Sequence, residues 1–591
     1  MPNWKKGALR PGKRWGKVLY ALLFAGILFA AVMYLRVTVN APLGGDDCCN
    51  NPSGYYAFMQ KGVWQLLAED VQCLFQLLLP VGGRQFGAPV IPRALSYWAR
   101  QDVPTYRLYI IGVTCLTMAL FAWLMRRVCD SRGFGGACLA LIPLTFCLWC
   151  DYQLNGMYSY SALPQTTLLM GTISAHRTVS WSKSRHWPWA VAAALTTYWA
   201  CAVYELGYVY FFMTALLTLS LHKQFRDWLL TLIPSAAGEG LSLVMYLISR
   251  SSGNVYNGVQ VAQGGTENRF LITWLQQMSG GFPMNELLAA GVQVEQYTKG
   301  DFLWAFILAL PVGLCLLLIR RQFTLRQFFC WFGCGAVLLA IPAALIAVTS
   351  KYQTCGWITW ESAYIPAVVE SFGVALMALC LMAALFQWLR QRRYGKVLCS
   401  AWSLFLVIGL TVMGATQRAA TRERYPADSN DSYNRLWRSI ESGLVDRADE
   451  DDLLLCTYDV WGGDSGAESV FFSRYAGRPL NAQFVGSWEQ AVSRPDYYTG
   501  LYGNYGGYDT VWCGNVLDES ARLLGDVIVY VDNTLIPPTG VVKYYVDNGG
   551  GETLVEIPLS ELEHSETDVY NGYFITLPDE NIVAPKIMIW G

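Results

Sequence analysis

Long apolar runs recur along the first part of the chain, and short polar or basic stretches separate them. A run of roughly 20 apolar residues is long enough to cross the hydrocarbon core of a bilayer as a helix. The pattern predicts about eleven transmembrane helices, with boundaries accurate to a few residues. They fall near residues 16–36, 106–125, 134–150, 158–175, 188–204, 206–221, 228–249, 301–319, 327–349, 366–388 and 397–414.

Basic residues cluster in the short loops between these runs, and their positions predict the orientation of the chain. Cytoplasmic loops of membrane proteins carry an excess of Lys and Arg. A cytoplasmic N-terminus places every short basic loop inside: 126–127, 176–186, 222–226, 320–326 and 390–396. The long connections 37–105 and 250–300, and everything after residue 414, are then outside.

The composition agrees with a membrane protein. Of the 591 residues, 53% are hydrophobic and 15% are charged, and the mean hydropathy is +0.28. A soluble domain has about 25% charged residues. The formal net charge of -1 provides no field that would recruit nucleic acid. We therefore expect an integral, multi-pass protein of the plasma membrane that contacts lipid and has no nucleic-acid partner.

The composition changes abruptly near Tyr425. Short β-like runs at 453–455, 527–531 and 541–546 alternate with helical stretches such as 433–444. These features predict a mixed α/β extracytoplasmic domain at 415–591, following a transmembrane domain at 1–414 that includes the first outer loop, 37–105. Cys456 and Cys513 could form a disulfide in an extracellular domain, or could be two separate buried thiols.

The sharpest local motif is Gly44-Gly45-Asp46-Asp47, which lies shortly after the first predicted span. Two adjacent carboxylates can act as a general base or a cation site, because one acid can orient its neighbour or bind metal while the neighbour stays ionised. The same four residues are also ordinary turn chemistry. The local sequence alone leaves both interpretations open.

The position of this pair resembles the GT-C superfamily of membrane glycosyltransferases. The resemblance is architectural over nearly the whole chain, and its sequence-specific part is Asp46-Asp47, Tyr55-Tyr56 and Gly83-Arg84. It implies transfer of a hexosyl or pentosyl group from a polyprenyl-phosphate donor to a glycan or protein acceptor of the cell envelope. It also implies that Asp46 or Asp47 is the base, with a second acid in the next outer loop, where Asp151 stands.

The reaction needs cations for the departing lipid phosphate as well as a base. Arg84, Arg93 and Lys351 lie in predicted outer loops and could bind that phosphate or anchor the protein to lipid headgroups. Acids could also bind Mg²⁺ or Mn²⁺, but the sequence shows no complete metal site. Neither the oligomeric state nor the stereochemical course follows from the sequence.

Three acids lie inside or beside predicted spans, where charge is costly and indicates function. Glu205 is expected in an outer turn near the active cavity, and Glu239 and Glu370 lie deeper. The same three acids would serve a different class of protein, a transporter or flippase of lipid-linked glycan.

The outer domain carries a group of tyrosines spaced among glycines. Their flat rings and hydroxyl tips suit sugar rings, although the same side chains could pack the domain against the membrane helices. These predicted glycan-binding residues are Tyr497, Tyr498, Tyr502, Tyr505 and Tyr508. A membrane-tethered scaffold that binds glycan through this loop is a third functional class.

Overall fold

The computed structural model divides the chain into two compact units. The helical unit comprises Met1–Ala41 and Val63–Pro426, and the C-terminal unit comprises Pro42–Gly62 and Ala427–Gly591. The segment with Asp46 and Asp47 therefore groups with the C-terminal unit, whereas the sequence-based division included it in the transmembrane domain. The structure describes residues 11–43, 47, 61–62, 64–66, 68, 103–149, 154–251, 269–283, 291–319, 322–360, 362–427, 429, 443, 446, 453–456, 472–473, 478–484, 510–517, 522–532, 541–566, 572–579, 581–583 and 588–590.

A helix covers most of each predicted apolar segment except the third, 134–150, where an α-helix covers about half of the segment and a 3₁₀ turn follows it. The described helices are α1 (Pro11–Leu35), α2 (Val103–Cys129), α3 (Arg132–Leu141), α4 (Leu163–Ser184), α5 (Trp187–Val203), α6 (Val209–Leu219), α7 (Phe225–Ser251), α8 (Phe270–Ser279), α9 (Lys299–Leu318), α10 (Leu325–Ala347), α11 (Ser350–Thr354), α12 (Ala367–Leu389) and α13 (Gly395–Arg424).

Seven helices of the described chain are long and apolar enough to cross a membrane, and they are α1, α2, α7, α9, α10, α12 and α13. The chain is a polytopic helical membrane protein. The full number of about eleven spans stays a prediction, because the helices on the other apolar segments are shorter or less apolar.

The third predicted span forms a short helix that is buried on all sides. Ser131 caps α3 by accepting a hydrogen bond from the Phe134 N–H at 3.2 Å. A 3₁₀ turn with Pro143 follows it, and proline cannot continue a regular helix. A Cβ atom at Gly133 would lie 2.7 Å from the Cys315 carbonyl oxygen, so glycine is required where α3 packs directly on the backbone of α9.

The loops predicted to be cytoplasmic meet at one end of the helical unit, here called the basic end. Arg390 donates to the carbonyl oxygen of Leu316 at 3.1 Å and so satisfies the end of α9. Arg326 donates to the carbonyl oxygen of Leu219 at 3.0 Å. Further contacts at this end join Arg126 to the rings of Trp123 and Tyr20, and Arg127 to Ser180.

The opposite end is held by a buried acid. Asp301, in the first turn of α9, has a side chain only 1% exposed, and its carboxylate binds Arg418 at 3.2 Å and Arg422 at 2.5 Å. Arg418 also donates to the carbonyl oxygens of Met33 and Tyr34 at the end of α1. This group, the Asp301 clamp (Asp301, Arg418 and Arg422), joins the ends of α1, α9 and α13.

The described strands of the C-terminal unit form one sheet. They are β1 (Leu453–Cys456), β2 (Asn481–Phe484), β3 (Thr510–Leu517), β4 (Arg522–Asp532), β5 (Val541–Asp547), β6 (Glu552–Pro558), β7 (Glu563–Glu566), β8 (Gly572–Leu577), β9 (Ile582–Val583) and β10 (Met588–Trp590). Their order in the sheet is β10-β5-β9-β4-β3-β1-β2. In addition, β6 pairs with β5, β8 pairs with β4, and β7 pairs with β8. Only β1 and β2 pair in parallel, among the described strands.

Strands lie at the three segments where the sequence predicts them, in β1, β4 and β5. The helix predicted for 433–444 lies outside the described residues, apart from Gly443. The register of β1 and β3 places Cys456 opposite Val511, so Cys513 is diagonal to it. The side chains of both cysteines lie outside the described residues.

The Asp301 clamp predicts a stability effect. Arg418→Ala would remove one cation from the buried Asp301 and the donor from the end of α1. Breaking a buried ion pair on one side costs about 3–5 kcal/mol, and we expect the lower figure because Arg422 remains. The apparent Tm of the purified protein, followed by tryptophan fluorescence, should fall by several degrees. Arg393→Ala, at an exposed arginine of the basic end, should leave it nearly unchanged; equal losses in the two variants would show that the clamp does not stabilise this end.

Candidate active site

The structure describes three of the predicted site residues: Asp47, Glu205 and Lys351. The others lie outside the described residues, and they are Asp46, Arg84, Arg93, Asp151, Tyr497, Tyr498, Tyr502, Tyr505 and Tyr508. Asp47 is 4% exposed and belongs to the C-terminal unit. Glu205 and Lys351 belong to the helical unit, where the surrounding geometry can be followed.

Lys351 stands on α11, the short helix that follows α10. Its Nζ lies 5.5 Å from the centre of the Trp357 ring and 5.7 Å from that of Tyr352, within the range at which an aromatic face attracts a cation. The Tyr352 ring lies 4.8 Å from the ring of Tyr364, and both tyrosines are largely buried. An exposed cation thus stands beside a buried tyrosine cluster.

A strained turn, Tyr160–Ala162, adjoins this cluster. Its residues Tyr160, Ser161 and Ala162 have φ of 68°, 49° and 58°, in the left-handed region that L-residues other than glycine seldom adopt. The Tyr106 hydroxyl accepts the Ser161 N–H at 2.8 Å and lies 3.0 Å from Ser161 Oγ. The hydroxyls of Tyr160 and Tyr364 are 3.1 Å apart. Two buried tyrosines therefore hold the turn, and such strain persists where surrounding contacts impose it, often at functional sites.

A buried amide fixes Tyr364 in turn. Gln277 of α8 accepts the Tyr364 N–H at 3.0 Å, and its Nε2 donates to the Tyr364 carbonyl oxygen at 3.2 Å and to Glu370 Oε1 at 3.1 Å. Gln277 and Glu370 are fully buried. Within the described part of the chain, Glu370 Oε2 has no hydrogen-bond partner. Burial is the main cause that raises the pKa of Tyr364, and the neighbouring Tyr160 raises it further. The Tyr364 hydroxyl therefore keeps its proton at physiological pH.

Glu205 opens a 3₁₀ turn between α5 and α6 and is half-buried. The preceding residue, Tyr204, packs with Leu163 against Ala202 and Val203, and Leu163 directly follows the strained turn. The structure thus brings Glu205 and Lys351, far apart in sequence, to elements that meet around the same turn and tyrosine cluster. Glu239 lies half-buried on α7.

Sequence reasoning did not single out Arg107. This residue lies on α2 and is 1% exposed, and its Nε and NH2 each donate to the Ala41 carbonyl oxygen at 3.1 Å. Its guanidinium lies 5.7 Å from the Tyr158 ring. Arg107 is the second residue of the predicted span 106–125, at the edge where long basic side chains commonly reach the interface, so no signal in the sequence separates it; its burial in the structure does.

The described residues include no group of three or more His, Cys, Asp or Glu side chains that could hold a metal ion. Asp46, a predicted general base, and Asp151, a predicted second acid, lie outside the described residues.

Two solved structures are similar to this chain. The cryo-EM structure of arabinosyltransferase EmbB from Mycobacterium smegmatis has 9% identity and a TM-score of 0.30, covering 99% of this chain and 66% of that chain. The crystal structure of ArnT from Cupriavidus metallidurans bound to undecaprenyl phosphate has 13% identity and a TM-score of 0.31, covering 80% of this chain and 88% of that chain. No family model and no curated protein matches the sequence.

The strained turn predicts an unusual response to glycine. Ala162→Gly would relieve left-handed strain of roughly 1–2 kcal/mol, offset by the lost burial of one methyl, about 0.8 kcal/mol. The matched change is Ala175→Gly, at another fully buried alanine that lies inside right-handed α4. It loses the same buried methyl and adds a helix-propensity cost of about 1 kcal/mol. Ala162→Gly should therefore unfold at a clearly higher apparent Tm than Ala175→Gly. If the two unfold at the same temperature, the turn is not strained.

Proposed function

We propose that the chain is a membrane glycosyltransferase that moves a sugar from a polyprenyl-phosphate donor to a cell-envelope glycan or protein acceptor on the outer face. One observation supports this most directly. The acid pair Asp46-Asp47 begins a few residues after Ala41, which Arg107 holds at the end of the helical unit opposite the basic loops. The acid pair thus begins within a few residues of a point in the chain, Ala41, that is fixed in the helical unit, and the proposal puts the lipid headgroup of the outer leaflet at that end of the helical unit.

The chemistry assigns roles to both sets of predicted residues. Asp46 or Asp47 would take the proton of an acceptor hydroxyl, whose oxygen then bonds to the anomeric carbon of the sugar. The bond from that carbon to the phosphate oxygen breaks, and the lipid phosphate leaves with the electron pair. Cations that bind this phosphate stabilise the charge it gains, and Arg84, Arg93 and Lys351 are the candidates.

Lys351 suits this role by its position. Its ammonium is exposed beside the tyrosine cluster, and a lysine offers a mobile point charge to a phosphate. Asp151 and Glu205 would be second acids that orient the acceptor or bind a divalent cation such as Mg²⁺ or Mn²⁺. In this proposal the basic end faces the cytoplasm with the N-terminus, and the C-terminal unit lies outside the plasma membrane.

The alternative function, a transporter or flippase of lipid-linked glycan, rests on Glu370. A fully buried carboxyl group whose Oε2 lacks a partner among the described residues resembles the proton sites of transporters. That function would need Glu370 and would not need Asp46 or Asp47.

The acid pair separates the two functions. Asp46→Asn combined with Asp47→Asn should lower sugar transfer from polyprenyl-phosphate donors by about 10²–10⁴-fold, the range of a general base. Asp130→Asn makes the same chemical change at an exposed acid of the basic end, and it should keep wild-type transfer. Hexosyl and pentosyl donors on undecaprenyl phosphate are both assayed with purified protein. Full sugar transfer by the double variant would reject the enzyme proposal. The transporter would be favoured if vesicles with the double variant still flip lipid-linked glycan while vesicles with Glu370→Gln do not.

The tyrosines of 497–508 predict a second, separable effect. If they bind the acceptor glycan, Tyr502→Ala with Tyr505→Ala should raise the KM for the acceptor about thirtyfold, because the two aromatic contacts contribute about 1 kcal/mol each, and should leave kcat unchanged. Tyr394→Ala, an exposed tyrosine of the basic end, is the control. An unchanged acceptor KM would mean that this loop does not bind the acceptor.

A further inference from the structure

The chain leaves the helical unit for the C-terminal unit at two places, after Ala41 and after Pro426. The first crossing leads directly into the acid-bearing segment, and the second leads into the rest of the C-terminal unit. The residues on the helical side of both crossings are described, so the way each is held can be followed contact by contact.

The first crossing is fixed by a buried guanidinium. After α1, a 3₁₀ turn runs from Arg36 to Asn40, and the Ala41 N–H donates to the Thr38 carbonyl oxygen at 3.2 Å. The Ala41 carbonyl oxygen accepts from Nε and NH2 of Arg107, both at 3.1 Å. Ala41 is fully buried. Its peptide is therefore held from within the chain and from α2.

The second crossing connects to the same arginine through two rings. Tyr425 ends α13, donates its N–H to the Thr421 carbonyl oxygen at 2.9 Å and is 3% exposed. Its ring lies 5.5 Å from that of Tyr158, and the Arg107 guanidinium lies 5.7 Å from the Tyr158 ring. A guanidinium at this distance from an aromatic ring is attracted to it.

A structural role in packing alone would not require arginine here. Arg107 lies near the N-terminal end of α2 and is 1% exposed; burying a charge costs free energy unless its partners are in place, and an apolar side chain would fill the same space without that cost. What arginine adds is a planar set of donors that can bind one carbonyl oxygen with two nitrogens while its face meets an aromatic ring. Arg107 makes the first of these contacts with Ala41 and the second with Tyr158, whose ring lies beside that of Tyr425.

The short distance along the chain makes this anchor relevant to the acid pair. A residue spans at most about 3.6 Å, so Asp46 can reach only about 18 Å from Ala41. Fixing Ala41 therefore limits where Asp46 and Asp47 can lie, whereas a loose Ala41 would let them sample a wider volume. A misplacement of about 1 Å in a reacting group can lower a rate about 10²-fold.

We infer that Arg107 is a positioning residue for the acid pair: it anchors the point at which the chain enters the acid-bearing segment and joins that point, through Tyr158, to the crossing at Tyr425. The inference rests on the proposed function, because it assigns Arg107 to the base of that reaction. Arg107 itself touches no substrate in this assignment.

Arg107→Lys tests the inference, because lysine keeps the charge and loses the planar fork. We expect kcat for sugar transfer to fall about 10- to 100-fold with the donor KM nearly unchanged. Deuterium exchange of the backbone amides in residues 37–50 should become faster in the same variant. Arg126→Lys, on the same helix α2 at the basic end, should change neither measurement. Arg107→Met is a second variant that keeps the length of the side chain without its donors, and it should lose at least as much activity.

The outcomes separate this inference from the proposed function. Unchanged exchange in residues 37–50 of folded Arg107→Lys would overturn the inference, whether or not kcat falls, because a lower kcat would then come from another role. Unchanged kcat with faster exchange would also overturn it. If the wild-type chain transfers no sugar from any donor, the proposed function fails, while the exchange measurement still decides whether Arg107 anchors the crossing.

Discussion

The buried carboxylate of Asp301 is the contact on which the end opposite the basic loops depends. Besides the two arginines of the clamp, it accepts the Thr298 hydroxyl at 2.7 Å, so a fully buried charge is surrounded by donors. A buried ion of this kind costs several kcal/mol unless its partners are in place. Because Arg418 also binds the carbonyl oxygens that end α1, this acid fixes where α1 stops. The turn to Ala41 and the contact with Arg107 follow from that position.

The two ends of the helical unit use arginine differently. At the basic end, guanidinium groups lie against rings near the interface, as Arg392 does over Trp388 at 4.3 Å, or satisfy the last carbonyls of a helix. Such exposed contacts contribute little stability individually but set orientation in the membrane. At the other end, Arg107 and Arg418 are largely or fully buried and bind carbonyl oxygens at or just after the end of α1. Burying a guanidinium group costs free energy, so buried arginines of this kind are expected only where the geometry that they fix is needed.

Sequence reasoning located the helices because length and hydropathy are local properties, and the basic loops because charge is visible in the chain. It could not find the strained turn: Tyr160-Ser161-Ala162 has no left-handed propensity, and the conformation is imposed by Tyr106 and Tyr364. It interpreted 250–300 as an outer connection and did not predict α8 within it, which packs on α10 through the Trp274 indole; this indole donates to the Ala340 carbonyl oxygen at 2.8 Å. Gln277 could therefore not be predicted as a partner of Glu370.

The segment Pro42–Gly62 groups with the C-terminal unit, and this grouping bears on the role of that unit. A carboxylate of Asp47 that is 4% exposed must be surrounded by other groups, and a single short segment offers few of them. A domain that belongs to the same compact unit can supply the rest. If the proposed function holds, the C-terminal unit would need no catalytic set of its own, because holding Asp47 would be sufficient. Arg107 acts on the helical side of the first crossing, where it binds the carbonyl oxygen of Ala41, the residue just before this segment begins.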